Sequence, residues 1–154
     1  MKAGCYTQLY IQLVIAVKHR DSQLHKSIRK RVLEYISGIV SQLGHKSIIV
    51  NGVSDHLHIF FGLNPNVSIS DTVHDIKRST SLFINNEKLL PVKFYWQSGY
   101  GAFSYSRSQL ERVYNYILHQ EEHHTCKTFK EEYIGILKKY KVEFNEQYLF
   151  EFFN

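Results

Sequence analysis

The chemistry in this sequence begins with two histidines separated by one apolar residue, His56-Leu57-His58. Within Val53–Phe61, read as a strand, side chains alternate between the two faces of a sheet. His56, His58 and Phe60 then share one face, and Leu57, Ile59 and Phe61 share the other as core. Two imidazoles at i and i+2 lie roughly 7 Å apart along a strand, close enough to bind one metal ion. Such a pair is more often simply polar side chains on an exposed face, so a second element, near Tyr116, has to face it to make a site. Cys126 with His123 and His124 gives no recognised zinc spacing. Those two histidines read as solvated residues at the negative end of a helix dipole, with proton shuttling or DNA contact as the alternative.

The elements that must position these residues follow from periodicity. Tyr6 to Val17 is rich in β-branched and aromatic residues and reads as a long first strand, apolar on both faces near its end. Lys18-His19-Arg20 follows, a solvated terminus or a phosphate-contacting patch. From Leu24 to Leu43, Ile28, Val32, Tyr35, Ile36, Ile39, Val40 and Leu43 recur at helical spacing, and Gly44 supplies the stop. Lys46 to Val50 is a short strand, and Asn51-Gly52 is a hairpin-turn signal that folds the chain back into the histidine strand. After Asn64-Pro65-Asn66, the capping form of Ser68-Ile69-Ser70-Asp71 opens a second helix. Its stripe is Ile69, Val73, Ile76, Thr80 and Phe83, with Lys77 and Arg78 off it and free to meet a phosphate.

Pro91 to Tyr105 reads as two short strands, Val92–Trp96 and Ala102–Tyr105, around a glycine-containing loop. Trp96 or Tyr100 there could stack on a base. Ser108-Gln109-Leu110-Glu111 reads as a capping box opening a third helix to about His124, with Leu110, Val113, Tyr114 and Ile117 facing the core. Tyr116, Gln120 and His123 fall on a neighbouring stripe. Thr128-Phe129-Lys130-Glu131 opens a fourth helix with Phe129, Tyr133, Ile136, Leu137 and Tyr140 as its apolar set. The aromatic tail 148–153 is expected to dock on the domain or on a partner subunit. Strand, helix, strand, strand, helix, strand is the split β-α-β plan. The expected fold is therefore α+β: a ferredoxin-like antiparallel sheet with helices on one side and additional C-terminal helices.

The 154 residues make one domain with a self-sufficient core. A hydrophobic fraction of 44% and an aromatic fraction of 14% exclude a disordered chain. Residues 1–108 hold 13 Lys and Arg against 6 Asp and Glu, whereas residues 109–154 hold 6 against 8. A basic body with an acidic tail suits a polyanionic partner such as nucleic acid. Cys5 and Cys126 are isolated, as in a reducing compartment. Lys2 heads an apolar run that Thr7, Gln8 and Gln12 interrupt and that lacks a cleavage site. No stretch approaches the ~18 apolar residues of a membrane helix. A soluble, cytoplasmic protein is expected.

The sequence resembles the HUH single-tyrosine transposases of insertion sequences, the TnpA family, with their REP-associated relatives. The likeness runs from the first strand to about Tyr140. It includes Asn51-Gly52-Val53-Ser54-Asp55-His56-Leu57-His58, Gly99-Tyr100-Gly101-Ala102-Phe103-Ser104 and Tyr116-Ile117-Leu118-His119-Gln120-Glu121-Glu122-His123-His124. It implies a single domain, with a core over about residues 6–125 and the helix and tail of 126–154 appended. It implies that His56, His58 and Gln120 hold a divalent metal, Mg or Mn, and that Tyr116 attacks DNA. The implied partner is single-stranded DNA carrying a hairpin. The implied assembly is a homodimer, in which the tyrosine helix acts in cis or completes the other subunit's site in trans.

Physical chemistry is consistent with those roles. A phosphodiester repels an incoming oxyanion, and a divalent cation on its non-bridging oxygen offsets that charge. Imidazole and amide ligands suit Mn²⁺ at least as well as Mg²⁺. A phosphotyrosine conserves the energy of the broken bond, so a 3′-hydroxyl can later reverse the step and exchange strands. Two rivals remain at this level. One is a domesticated relative that nicks and rejoins DNA with the same residues; the other is a non-catalytic RNA-binding module of the same fold, stacking bases on exposed sheet aromatics.

Overall fold

The structure, a computed structural model, describes residues 3–153; Lys2, at the head of the N-terminal run, lies outside them. Four strands form one antiparallel sheet in the order β2-β3-β1-β4, with β1 at Tyr10–Ala16, β2 at Lys46–Gly52, β3 at His56–Gly62 and β4 at Gly101–Tyr105. Helices α1 (Lys26–Gln42) and α2 (Ile69–Asn86) follow β1 and β3, completing the expected ferredoxin-like plan. They cover one face of the sheet, over Leu13, Ile15, Leu57, Ile59 and Phe61. Each such fully buried side chain contributes roughly 1.5–3 kcal/mol. The other face, carrying Val14, Ala16 and Phe60, is covered by α3 (Leu110–Leu118) and α5 (Phe129–Lys139). The short helix α4 (Gln120–His123) lies between those two in sequence.

Several local readings hold. Gly44 closes α1 with φ +84°. The Ser68 side chain caps α2 by accepting from Asp71 N at 2.9 Å. Thr128 and Glu131 form a reciprocal capping box at the start of α5. In the tail, Phe150 is buried against Phe129 and Tyr133, while Tyr148 stays outside at 79% exposed.

Others are corrected. The first strand begins at Tyr10, because both neighbouring strands end there, at Gly62 and Tyr105, leaving Tyr6 to Leu9 no ladder to join. Val92–Trp96 is not a strand. The amide of Asn85 takes both backbone groups of Phe94 instead, accepting from its N–H at 2.8 Å and donating to its carbonyl at 3.2 Å. Only Trp96 bridges the sheet, at Val17. The capping box near the third helix uses Ser106 and Gln109, two residues before the expected one, through a short 3₁₀ turn. Tyr114 points outward, 36% exposed, rather than into the core. Asn51-Gly52 is not the hairpin turn, because Asn51 and Gly52 pair with His58 and Leu57 and the chain turns over 53–55.

Candidate active site

His56 and His58 project from β3 on the face away from α1 and α2, opposite Ala16 and Val14 of β1. Both are fully buried, with ring centroids 5.3 Å apart. The face is therefore not an exposed one. The Phe129 ring lies flat on His56 at 3.7 Å. One turn further along α5, Glu132 places its carboxylate between the two rings. Its Oε1 is 3.0 Å from His56 Nε2 and 3.1 Å from His58 Nε2.

The tyrosine arrives from α3, whose buried residues Val113 and Ile117 pack on Phe60. The helix expected to run unbroken to His124 instead breaks at His119 (φ −100°, ψ 32°) and restarts as α4 at Gln120. Asn51 stabilises that break by donating from Nδ2 to the carbonyls of Ile117 (2.9 Å) and Leu118 (3.1 Å), which lack partners at a helix end. Across the break, Tyr116 and Gln120 still point to one place. The Tyr116 hydroxyl donates to Glu132 Oε2, and Gln120 Nε2 donates to the same oxygen at 3.1 Å. All four residues singled out from sequence thus converge on one carboxylate, within a single chain.

Glu132 was not among those four. It stands in the buried stripe of α5 between Phe129 and Tyr133, 3% exposed, where periodicity expects an apolar side chain. A carboxylate at a core position requires a partner, and that was the available signal. His124 also turns inward, its Nε2 at 3.3 Å from Glu132 Oε1, and His123 stacks on the Tyr116 ring with centroids 4.6 Å apart. Neither is the solvated helix-end residue expected. Cys126 is exposed and stays outside the cluster.

Hydrogen bonds define the charge states. His56 offers Nδ1 to Asp55 Oδ1 at 2.8 Å and Nε2 to Glu132. Burial opposes its protonation, but the two carboxylates outweigh burial and raise its pKa. His58 accepts at Nδ1 from Gln12 Nε2 at 2.7 Å, so its proton is on Nε2, and burial lowers its pKa further. Burial alone would raise the Glu132 carboxyl; His58 beside it, the nearby His124 ring and hydrogen bonds from His56 and His58 instead hold it far below the ordinary carboxylate range. Tyr116 is pushed above the usual phenol range by burial first and by the Glu132 charge second. In this state the phenol is protonated and is not a nucleophile.

The cluster fits a divalent cation. One nitrogen from each of His56 and His58 and one Glu132 oxygen lie within 4.8 Å of one another. The buried Gln120 Oε1 has no hydrogen-bond partner. Two imidazoles with carboxylate and amide oxygens are a donor set that first-row divalent cations accept.

The basic residues singled out for DNA are scattered. Lys18, Arg20 and Arg78 are exposed, and Arg20 donates to the Phe153 carbonyl. Lys77 is not free for a phosphate, because its Nζ donates to the carbonyls of Gln97 (2.8 Å) and Gly99 (2.6 Å). Tyr100 is 41% exposed, whereas Trp96 is buried and unable to stack on a base.

Comparison with known proteins agrees with this architecture. A candidate transposase from Deinococcus radiodurans R1 superimposes with a TM-score of 0.60 at 20% identity, covering 78% of this chain and 96% of that one. A REP-associated tyrosine transposase bound to a REP hairpin superimposes with a TM-score of 0.57 at 14% identity, covering 80% of this chain and 74% of that one. At such identities the likeness shows the fold. No curated protein sequence matches with significance. No helix among the described residues is long and apolar enough to cross a membrane. The family model described as "Transposase IS200 like" matches residues 5–120, ending at Gln120 and leaving Glu132 beyond it. By that match, which spans most of its length, the chain belongs to the IS200-like transposase family.

Proposed function

We propose that this transposase cuts and rejoins single-stranded, hairpin-bearing DNA through a 5′-phosphotyrosine at Tyr116, with a divalent metal held by His56, His58, Gln120 and Glu132. The observation that carries this reading is the meeting of the Tyr116 hydroxyl and both histidine Nε2 atoms on the two oxygens of Glu132. A hairpin substrate is suggested by the structural relative that was solved with one. Bound at the histidines, Mg²⁺ or Mn²⁺ would neutralise a non-bridging phosphate oxygen and hold the phosphate in line for attack.

The chain's own groups account for the remaining steps. Glu132 Oε2, which accepts the hydrogen bond of the Tyr116 hydroxyl, is placed to take its proton as the phenol oxygen bonds to phosphorus. The P–O3′ bond breaks, and the leaving 3′-oxygen takes up the proton that Glu132 accepted, which regenerates the carboxylate. Reversal by a 3′-hydroxyl restores a phosphodiester and returns the proton to Tyr116. Within one chain Tyr116 and both histidines meet on Glu132, which supports the cis alternative for the tyrosine helix. Both faces of the sheet are covered and Phe60 is fully buried, which disfavours an RNA module that stacks bases on sheet aromatics.

The test is incubation of the protein with single-stranded hairpin DNA and Mn²⁺ or Mg²⁺, followed by denaturing electrophoresis. A covalent adduct is expected, absent in Tyr116→Phe; an undiminished adduct in that variant would reject the nucleophile. His56→Ala should lose cleavage and keep hairpin binding. A relative that nicks and rejoins without moving an element would behave identically, and terminal palindromes in the flanking DNA distinguish the mobile form.

A further inference from the structure

Tyr116 and Glu132 also line a cleft of about 290 Å³ that opens between α3, β4 and α5. Its size is at the lower limit for a small-ligand site. Two of its aromatic walls, Tyr105 and Tyr140, meet edge to face with centroids 5.7 Å apart. Three cations, Arg112, Lys127 and Lys139, stand around it, and among the described residues none of them pairs with a carboxylate. The one acidic side chain lining the cleft is Glu132, whose charge is taken up by the histidines. The cleft is therefore aromatic and net positive.

Gly135 also lines it, on an exposed helix position. Glycine inside a helix is destabilising relative to alanine. A Cβ added at Gly135 would meet nothing within 4 Å, and its φ is not positive. No packing contact and no backbone strain requires a glycine there. What its lack of a side chain does is leave the cleft open.

We propose that this cleft is the subsite for the nucleotide on the 3′ side of the scissile phosphate, the one that stays attached to Tyr116 after cleavage. The assignment rests on the phosphotyrosine reading, because that nucleotide is tethered to the Tyr116 oxygen and the cleft is what adjoins it. The base stacks on the Tyr105–Tyr140 wall, in the sequence-tolerant manner of aromatic platforms. The next backbone phosphate meets Arg112, Lys127 or Lys139. Holding the nucleotide here keeps the covalent intermediate in place while a new 3′-hydroxyl approaches.

The experiment titrates the metal-free, ¹⁵N-labelled full chain with each of the four 2′-deoxynucleoside 5′-monophosphates and follows amide chemical shifts. Saturable shifts are expected at Gly135, Ile136, Lys139 and Tyr140, with inorganic phosphate or the nucleoside alone at least about tenfold weaker. Gly135→Phe fills the cleft and should abolish these shifts, while Gly135→Ala should retain them. Lys139→Glu, at an exposed position, should weaken them severalfold and serves should Gly135→Phe not fold. No saturable shift, shifts confined to another surface, binding unchanged in a folded Gly135→Phe, or, where that variant does not fold, binding unchanged in Lys139→Glu, overturns the proposal. The probe has no scissile bond and needs no metal. A negative result therefore leaves the cleavage reading standing, and absent cleavage with intact mononucleotide binding rejects only that reading.

Discussion

The Tyr116 hydroxyl donates a hydrogen bond to Glu132, a residue on a different helix, and the opposite oxygen of the same carboxylate lies against His56 and His58. The proposed nucleophile and the proposed metal-ligand pair are thus coupled through one side chain. Removing it should be felt at both. Glu132→Ala leaves His56 with Asp55 as its one carboxylate partner and the Tyr116 hydroxyl without its acceptor, and breaking a buried pair in this way costs about 3–5 kcal/mol. At ~2–4 °C per kcal/mol for a chain of this size, the melting temperature should fall by roughly 6–20 °C. Glu132→Gln, which keeps the shape, should bind Mn²⁺ at least about tenfold more weakly by calorimetry. Tighter Mn²⁺ binding in Glu132→Gln would mean that the carboxylate excludes the ion rather than ligating it.

How much of this was visible beforehand differs element by element. The ferredoxin-like order followed from periodicity and caps, because α1, α2 and α5 each carry an apolar stripe with a stop or cap residue where it is needed. The convergence of His56, His58, Tyr116 and Gln120 followed from spacing together with the family resemblance. Glu132 was hidden because a lone carboxylate on an amphipathic helix looks like part of its polar face; only counting it into the stripe of Phe129, Tyr133, Ile136 and Leu137 marks it as buried. His124 was hidden by the break at His119, which turns it inward from the position that an unbroken helix would give. Asn51-Gly52 misled because a turn dipeptide was doing a different task, with the Asn51 amide capping α3.

Gly52 carries a prediction from that same dipeptide. A Cβ there would lie 2.4 Å from the His56 carbonyl oxygen and 2.7 Å from Leu57 Cα, both backbone atoms. Gly52→Ala must therefore push the start of β3 aside, at a cost of about 1–3 kcal/mol. Thermal melting should show a loss of ~2–4 °C per kcal/mol. Because the displaced residue is His56 itself, cleavage should fall further than stability at a temperature where the variant is folded. A variant as stable and active as the parent would show that β3 has slack at this position.

Gln12 is the next residue whose removal should reach the metal. It is 1% exposed on β1, donates to His58 Nδ1 at 2.7 Å and accepts from the Tyr105 hydroxyl at 2.6 Å. A metal on His58 Nε2 needs the proton on Nδ1, and the Gln12 amide can serve that tautomer by turning its oxygen toward the ring. Gln12→Leu keeps the volume and strands two buried polar groups, at about 1–3 kcal/mol each. Mn²⁺ affinity should fall about 10–100-fold, as when the partners of metal-bound histidines are removed. Tyr105→Phe, which leaves the His58 contact in place, should change affinity much less. Equal effects of the two substitutions would assign Gln12 a purely packing role.

A pH dependence away from the site is expected from His45. It is buried at 5% exposure, accepts at Nδ1 from the Asn64 N–H at 2.8 Å, and lies 2.8 Å from Thr72 Oγ1 through Nε2. With Nδ1 accepting a backbone proton, the ring is neutral, and burial lowers its pKa below the ordinary 6.5. The unfolded chain therefore takes up a proton first as pH falls. Stability contributed by neutral His45 is complete above about pH 6.5 and is lost progressively as pH drops toward the lower folded value. Urea denaturation between pH 8 and pH 5 should show that decline. His45→Gln, which can still accept from Asn64 and donate to Thr72, should flatten the His45 share of the slope at some cost in stability at pH 8. The comparison is made in a His56→Ala, His58→Ala background, so that the site histidines contribute nothing to the slope. A slope unchanged by His45→Gln in that background would mean that His45 charges as readily in the folded protein as in the unfolded chain.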